Sequence, residues 1–359
     1  MTREFGHGGT VYAASRHLGI PPEEILDFSA SINPLGPPDG VRNAILRDFD
    51  RVIHYPDPEA AELRMALAGR HGLDPENVCP ANGSTELIYL LPRLAAGSRV
   101  LIVAPCFSEY AASLERGSWD VHYFFLEPSD RFALTLVKLE ERLAEGFDLL
   151  IVANPGNPTG AVIPQRDIAG LLELCRTSGT IPVIDEAFID FCESDSALSA
   201  VVADGRGLVL RSLTKFYALP GLRIGYAVAA ANIIEELAGL IPPWSVGTLS
   251  QAAGIAALSD HRYREQTLSV IAAEREFLFN ALESSPVLSP YQAAANYLLV
   301  RQSSGHSAAE LRDMLLSRRI LIRDCANFPG LSDRYFRVAI RLRHENEQLL
   351  AELSGILSQ

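Results

Sequence analysis

Lys215 stands at the end of a predicted strand, where an amine can take part in chemistry. It follows the apolar run 208–210, which predicts a buried strand, and it precedes a Pro-Gly turn. An ε-amine kept partly dry beside another cation loses proton affinity, and Arg223 is a candidate for that cation. Such an amine forms a Schiff base with an aldehyde cofactor, and Ser212 and Arg223 offer a hydroxyl and a guanidinium fork for a phosphate. The alternative is a strand-end lysine that faces solvent.

Gly83 and Ser84 form a second candidate phosphate site. They precede the apolar run 87–94, which predicts a helix. The first N–H groups of a helix lack internal partners and lie at the positive end of its dipole, so they favour an anion. An ordinary capping box over residues 83–86 is the alternative interpretation.

Three polar side chains each follow an apolar strand-like run. Asn157 lies in a turn with two prolines and two glycines after the run 148–153, Asp185 follows the run 181–184, and Lys215 comes third. Ligands of open α/β sheets bind at the carboxyl ends of the strands. There an amide can donate to a phenolate oxygen, and a carboxylate can hold a pyridine nitrogen protonated. A helix cap or a surface turn is the alternative for Asp185.

Glycine-rich and aromatic segments add weaker signals. The loops 7–10 and 28–36 combine glycine with small polar residues that can bind an anion, although ordinary turn chemistry also explains them. Phe107 follows a strand-like run and could stack on a flat ring or belong to the core. Tyr55 lies in a loop stiffened by two prolines.

These residues must be positioned by an α/β arrangement. The hydrophobic pattern predicts helices at 11–18, 60–71, 87–94, 250–258, 268–282, 308–318 and 345–357. It predicts strands at 100–103, 148–153, 181–184, 208–210, 224–229 and 296–300. At 359 residues the chain exceeds one typical core, which predicts two domains or one large domain with a smaller lobe.

Composition excludes several classes of protein. The net charge of −13 argues against nucleic acid or an anionic membrane as the main partner. No window approaches the apolar length of a membrane span, and no basic arm or helix-turn-helix pattern is present. The five cysteines lack metal-site spacing, so no metal is expected. Their odd number, without a secretory leader, predicts reduced thiols and a cytoplasmic location.

Three motifs resemble the fold-type-I pyridoxal-phosphate (PLP) enzymes, close to the histidinol-phosphate aminotransferases. They are Asn-Pro-Thr-Gly at 157–160, Asp-Glu-Ala-Phe at 185–188 and the stretch 212–225. Within that group, the chain resembles the threonine-phosphate decarboxylases of cobalamin biosynthesis at 7–9, 28–36, 212–217, 243–246, 320–323 and 325–331. The resemblance covers essentially the whole chain.

The resemblance implies a mixed, mostly parallel sheet flanked by helices, with a smaller α/β lobe. Residues 1–44 would be an N-terminal segment that joins the small lobe, 45–245 the large PLP-binding domain and 246–359 the small C-terminal domain. It also implies a homodimer whose two active sites are shared between the subunits.

The resemblance also implies roles for single residues. Lys215 would carry the cofactor and Asp185 would pair with its pyridinium nitrogen. The other cofactor-binding residues would be Gly83, Ser84, Phe107, Asn157, Ser212 and Arg223, with Tyr55 from the other subunit. The substrate carboxylate would bind Arg337 beside Asn157, and its phosphate would lie among His7, Ser31 and Arg323.

Two positions depart from the family pattern. Ser31 stands where Asn is common, and its shorter hydroxyl would lose that phosphate contact or reach it through water. Phe188 lacks the hydroxyl that many aminotransferases have there, which leaves more of the contact with the phenolate oxygen to Asn157.

The expected activity is decarboxylation of L-threonine O-3-phosphate to (R)-1-amino-2-propanol O-2-phosphate for the cobalamin nucleotide loop. The alternative is an aminotransferase acting on histidinol phosphate or a related amino acid, because both reactions need the same electron sink. A non-catalytic PLP-binding regulatory module is the third possibility.

Overall fold

The computed structural model describes residues 8–358. Its helices are α1 (Val11–Leu18), α2 (Asp39–Asp48), α3 (Ala61–His71), α4 (Ser84–Leu94), α5 (Glu109–Arg116), α6 (Leu136–Leu143), α7 (Gln165–Ser178), α8 (Leu198–Asp204), α9 (Ala231–Leu240), α10 (Thr248–Leu258), α11 (His261–Glu283), α12 (Ala308–Leu316) and α13 (Arg343–Leu357). Its strands are β1 (Leu26–Asp27), β2 (Val78–Ala81), β3 (Arg99–Ala104), β4 (Asp120–Phe125), β5 (Leu149–Ala153), β6 (Ile181–Asp185), β7 (Leu208–Ser212), β8 (Gly225–Ala229), β9 (Leu288–Pro290), β10 (Tyr297–Gln302), β11 (Ile320–Leu321), β12 (Arg323–Asp324) and β13 (Tyr335–Ala339).

The central sheet has the strand order β2-β8-β7-β6-β5-β3-β4. Strands β3 to β7 pair in parallel, and β8 runs antiparallel to both of its neighbours. Successive residues of one strand point to opposite faces. Leu150 accordingly packs in one buried cluster, whereas Leu149 and Ile151 pack in another. Helices therefore cover both faces, which explains the continuously apolar runs within β3, β5 and β6 and confirms the predicted α/β class.

A smaller antiparallel sheet has the order β12-β13-β10-β9, and β1 pairs in parallel with β11. The segment after β1 also bonds to the small sheet, since the N–H of Ala339 donates to the carbonyl of Phe28 at 2.9 Å. The start of the described chain therefore packs with its C-terminal part. The division at residues 44 and 245 stays a prediction, to which this pairing lends support.

Most predicted element boundaries lie within two residues of the observed ones. The exceptions are α4, which begins three residues before the predicted start, and α11, which begins at His261 rather than 268. The side chain of Asp260 caps α11 by accepting the N–H of Tyr263 at 2.9 Å, and Tyr263 itself is buried. The elements that the hydrophobic pattern did not predict are strands β1, β2, β4, β9, β11, β12 and β13 and helices α2 and α5 to α9.

A buried ion-pair network lies behind the carboxyl ends of β6 and β7. Glu186 and Arg211 are fully buried and lie 2.8 Å apart. Arg211 also contacts Glu193 at 2.9 Å, and Arg264 of α11 contacts Glu193 at 3.5 Å. Removing one member of a buried pair leaves an unpaired charge that costs about 3–5 kcal/mol. The network therefore holds the two strand ends at a fixed spacing.

Within residues 8–358, no helix is both long and apolar enough to cross a lipid bilayer. The same residues contain no group of three or more histidine, cysteine, aspartate and glutamate side chains arranged to hold a metal ion.

Candidate active site

A cavity of about 770 Å³ opens at the carboxyl ends of the central strands. Ten residues singled out from the sequence line it: Ser31, Ser84, Phe107, Asn157, Asp185, Ser212, Lys215, Arg223, Arg323 and Arg337. Gly83 lies directly before Ser84 and packs against the guanidinium of Arg223. Tyr55 lies elsewhere, and His7 is outside the described residues.

Lys215 lies just beyond the end of β7, with its Nζ 5.9 Å from the ring centre of Phe188. Burial lowers the pKa of Lys215 to about 8, and the positive charges of Arg337 and Arg223 add to that effect, while Asp185 opposes it. Arg223 was the cation expected from the sequence, but Arg337 contributes more. A pKa near 8 keeps a useful fraction of the amine neutral, and a neutral amine is the form that attacks an aldehyde.

Asp185 ends β6 and is almost fully buried. Its Oδ2 accepts a hydrogen bond from the hydroxyl of Tyr110 at 2.6 Å, and its Oδ1 accepts one from the N–H of Ala187 at 2.9 Å. Burial raises the pKa of Asp185, while these two donors and the charge of Lys215 oppose that rise. A cation placed beside this carboxylate would stabilise its ionised form further.

Arg337 of β13 connects the small sheet to the end of β5. Its Nη1 donates to Oδ1 of Asn157, and its Nη2 donates to the carbonyl of Ser29 at 2.9 Å. Because Oδ1 of Asn157 is engaged, the Nδ2 end of that amide is the one left to donate to a ligand. Among the described residues, Nε of Arg337 is buried without a hydrogen-bond partner, so this donor is available to an anionic ligand.

The start of α4 and the β7–β8 connection form a phosphate cradle. A Cβ atom at Gly83 would lie 2.6 Å from Nη2 of Arg223, and one at Gly225 would lie 2.3 Å from the backbone nitrogen of Ser84. Glycine at both positions therefore brings the N-terminus of α4 close to the guanidinium. Helix N–H groups, hydroxyls and a guanidinium are phosphate-binding groups, so the residues present fit the phosphate of PLP.

The first turn of α4 is not closed by a serine capping box. Gly83 occupies the cap position and makes no side-chain cap bond. Glu86 instead accepts the N–H of Asn82 at 2.7 Å and the hydroxyl of Ser245 at 2.6 Å. The capping-box alternative left open by the sequence is thus wrong, and Ser84 is one of the residues that line the cavity.

Two aromatic side chains line the cavity near Asp185. The ring of Phe107 meets Tyr110 edge to face, with ring centres 5.8 Å apart. Phe188 is buried and meets Tyr297 edge to face at 5.0 Å, so it packs as a hydrocarbon and brings no hydroxyl. That Asn157 makes the phenolate contact stays a prediction, and Phe188 offers no hydroxyl that could share it.

Arg323 lies on β12 directly opposite Arg337 in the strand register. Its Nη1 donates to the carbonyl of Asp324 and its Nη2 to Oδ1 of Asn327, each at 2.7 Å, and the ring of Phe328 lies 5.0 Å from its Cζ. The loop that follows β12 therefore fixes the direction of this guanidinium.

Ser31 lies in the same cavity and is 2% exposed. Its Oγ has no hydrogen-bond partner among the described residues. A buried hydroxyl without a partner is costly, so a polar ligand in the cavity would satisfy it. Ser31 is therefore a lining residue of the cavity, and its contact with the substrate stays a prediction.

Tyr55 is not brought together with the other predicted residues. It is 80% exposed and stacks on Trp244 with ring centres 4.6 Å apart. The predicted role of Tyr55 in the cofactor site of the other subunit stays a prediction, and the exposure of its side chain leaves it accessible to that subunit.

Several cavity residues were missed from the sequence. Tyr110 and Thr214 contact predicted residues: Tyr110 bonds to Asp185, and the hydroxyl of Thr214 bonds to that of Ser212 at 2.8 Å. Thr214 could have been found as the neighbour of Lys215, and Tyr110 as an aromatic residue three positions after Phe107. The hydrogen bond of Tyr110 to Asp185, across 75 positions, had no sequence signal.

Comparisons with known proteins agree with this geometry. The profile of the family described as aminotransferase class I and II matches residues 23–353. The threonine-phosphate decarboxylase of Salmonella typhimurium is 38% identical over 98% of this chain and 96% of its own length. Among solved structures, L-threonine-O-3-phosphate decarboxylase from Porphyromonas gingivalis has a TM-score of 0.83 and 26% identity, over 93% of this chain and all of that chain. Histidinol-phosphate aminotransferase from Clostridium acetobutylicum has a TM-score of 0.87 and 29% identity, over 93% and 99% of the two chains.

Proposed function

The chain belongs to the class I and II aminotransferase family, and from that premise we propose that it is a PLP-dependent decarboxylase of L-threonine O-3-phosphate. The product is (R)-1-amino-2-propanol O-2-phosphate, which by the same resemblance serves the cobalamin nucleotide loop. The observation that supports the proposal most directly is that Arg323 and Arg337 lie opposite each other on the neighbouring strands β12 and β13. Both arginines line the same cavity as Lys215.

Arg223 is assigned to the cofactor phosphate, and the other two arginines of the cavity, Arg323 and Arg337, suit a substrate with two separate anionic groups. L-Threonine O-3-phosphate has a carboxylate and a phosphate, whereas histidinol phosphate has a phosphate and no carboxylate. Arg337, with its unpartnered Nε, would bind the carboxylate, and Arg323 with Ser31 would bind the phosphate. If the chain were instead an aminotransferase of histidinol phosphate, that substrate would bring only one anionic group. One of the two buried arginines would then have no substrate anion to bind.

The residues of this chain orient the substrate and handle its protons. When bound, PLP supplies an electron sink for the α-carbon. With PLP bound, the carboxylate of Asp185 would place a negative charge beside the ring nitrogen, and the amide of Asn157 would donate to the ring oxygen. Arg337 and Arg323 hold the two ends of the substrate, which fixes the rotation about its α-carbon. Lys215 can carry a proton on Nζ and is in the same cavity.

The rotation about the α-carbon selects the reaction. The bond that breaks depends on how the α-carbon is oriented, so the direction in which Arg337 and Arg323 hold the substrate would decide between loss of the carboxylate and loss of the α-proton. In decarboxylation the bond from the α-carbon to the carboxylate breaks, its electron pair stays with the α-carbon and carbon dioxide leaves. A proton then replaces the carboxylate at that carbon, so no amino acceptor is consumed.

The test is incubation of the PLP-loaded enzyme with L-threonine O-3-phosphate in the absence of 2-oxoglutarate. We expect repeated turnover that releases carbon dioxide, with the cofactor absorbance returning to that of the aldehyde form. Unphosphorylated threonine should release little, because it lacks the group that Arg323 binds. Stoichiometric conversion of the cofactor to its amine form, with turnover restored by 2-oxoglutarate, would favour the aminotransferase instead.

The proposed active unit is a homodimer in which Tyr55 completes the cofactor site of the other subunit. An exposed apolar surface supports this proposal. Leu46, Phe49, Val52, Ile53 and Tyr55 are 50% to 80% exposed and lie within ten residues of one another in sequence. An apolar surface of this kind is typical of a face that is covered by a partner.

Mixing two inactive variants tests the shared site. In a mixed dimer of Tyr55→Ala and Lys215→Ala subunits, one site has both defects and the other has neither. Random exchange makes half of the dimers mixed, so we expect about a quarter of the wild-type activity to return. Each variant alone should stay nearly inactive after the same treatment. Absence of recovery after proven subunit exchange would count against Tyr55 acting across the interface.

A further inference from the structure

Tyr110 contacts both Asp185 and Phe107, two residues that are predicted to contact the ring of the cofactor. It is on the first turn of α5, is 2% exposed, and donates its hydroxyl proton to Oδ2 of Asp185 at 2.6 Å. The same ring supports Phe107 edge to face, with ring centres 5.8 Å apart. One side chain therefore holds both the carboxylate and the predicted stacking ring.

The two oxygens of Asp185 are each held by one donor of the protein. Oδ1 accepts the N–H of Ala187, and Oδ2 accepts the hydroxyl of Tyr110. Together these bonds fix the rotation of the carboxylate, because a rotated carboxylate would lose one or both of them. A lone pair on each oxygen stays available for a ligand.

The hydroxyl of Tyr110 also favours the ionised carboxylate. Burial raises the pKa of Asp185, and a hydrogen bond donated to the charged form opposes that rise. Burial beside Asp185 raises the pKa of Tyr110 well above its usual value, so the phenol keeps its proton and stays a donor. Tyr110 therefore offsets part of the desolvation cost of the charge on Asp185.

We propose that Tyr110 is a positioning residue, which orients Asp185 and keeps it ionised so that it binds the protonated ring nitrogen of PLP. Tyr110 touches the cofactor site through Asp185 and Phe107 rather than by bonding to the substrate. This inference rests on the cofactor part of the proposed function and is independent of whether the reaction is decarboxylation or transamination.

The experiment measures the affinity of the unloaded protein for PLP rather than its activity. Tyr110→Phe keeps the ring that supports Phe107 and removes only the donor. Since a hydrogen bond to a charged group is lost, PLP affinity should fall by about 10- to 150-fold. Titration of intrinsic fluorescence gives the dissociation constant. Tyr110→Met, which also lacks a donor, replaces Tyr110→Phe if the latter does not fold.

A double-mutant cycle separates positioning from a general packing effect. In an Asp185→Asn background, Tyr110→Phe should change PLP affinity by less than about threefold, since its partner charge is already absent. Tyr226→Phe is the matched control. It also removes a buried phenol hydrogen bond, of 2.7 Å to Nε2 of His71, but it lies outside the cavity and should leave PLP affinity unchanged.

The outcomes distinguish the inference from the function on which it rests. A Tyr110→Phe protein that binds PLP as tightly as the wild type would overturn the inference. An equally large loss in the Asp185→Asn background would also overturn it, because the effect would then not pass through Asp185. A wild-type protein that does not bind PLP would contradict the proposed function itself.

Discussion

Replacement of Lys215 with alanine is expected to lower the turnover of L-threonine O-3-phosphate by at least about 1,000-fold. Loss of a positioned proton-transfer group alone costs about 100- to 10,000-fold, and Lys215 is in addition the proposed point of attachment of the cofactor. Its lowered pKa of about 8 fits both roles. The measurement is carbon dioxide release from the purified variant after saturation with PLP.

The attachment site can be identified directly, because the chain contains only two lysines, Lys138 and Lys215. Borohydride reduction of the loaded enzyme should fix the cofactor on the peptide that contains Lys215. Lys138 is the matched control: it lies on the surface and pairs with Asp130 at 3.2 Å. Lys138→Ala should retain full activity and the usual absorbance of the bound cofactor.

Two results would contradict this assignment. One is a reduced cofactor recovered on the peptide that contains Lys138. The other is a Lys215→Ala variant that keeps most of its carbon dioxide release. Either result would mean that the cofactor is not attached at the carboxyl end of β7. The cavity would still be a candidate binding site for PLP, because Asp185 and the phosphate cradle at the start of α4 line it.

Replacement of Arg323 with glutamine is expected to raise the KM for L-threonine O-3-phosphate by about 30- to several thousand-fold. Truncating one partner of a buried charge pair costs about 2 to 5 kcal/mol of binding, and Arg323 is 6% exposed. The weak activity on unphosphorylated threonine should change little, because that substrate brings no phosphate. The measurement is the ratio of kcat/KM for the two substrates.

Arg318→Gln is the matched control for that experiment. Arg318 follows α12 and pairs with Glu352 at the surface, about one-third of each side chain being exposed. Exposed ion pairs contribute at most about 1 kcal/mol, so this variant should discriminate between the two substrates as the wild type does. If Arg323→Gln kept the wild-type ratio as well, the phosphate would have to bind elsewhere in the cavity.

The sequence by itself predicted the class of fold and the order of three chemical groups. Strands β5, β6 and β7 each begin with a continuous apolar run because both faces of the sheet are buried, and such runs are visible in a short window of sequence. Since the carboxyl ends of parallel strands share one edge, Asn157, Asp185 and Lys215 could be placed together before any contact was known.

A local sequence pattern could not identify a structure where two different local structures have the same sequence signature. The stretch 83–86 fits a capping box as well as a phosphate site, and only the structure decides between them. A Cβ at Gly83 would collide with Arg223, a residue 140 positions later in the chain. The extra turns of α11 were missed for a related reason, since Tyr263 and Thr267 are buried by packing that the local pattern does not reveal.

Contacts between distant segments were decided only by the tertiary structure. The bond of Arg337 to Asn157 spans 180 positions, and the bond of Tyr110 to Asp185 spans 75. The pairing that sets Arg323 opposite Arg337 depends on strand register in a sheet built from the second half of the chain. Periodicity reports which side of an element is buried, but not what lies against it. For that reason the residue types at the site were readable from the sequence, whereas their partners and directions were fixed by the packing of the folded chain.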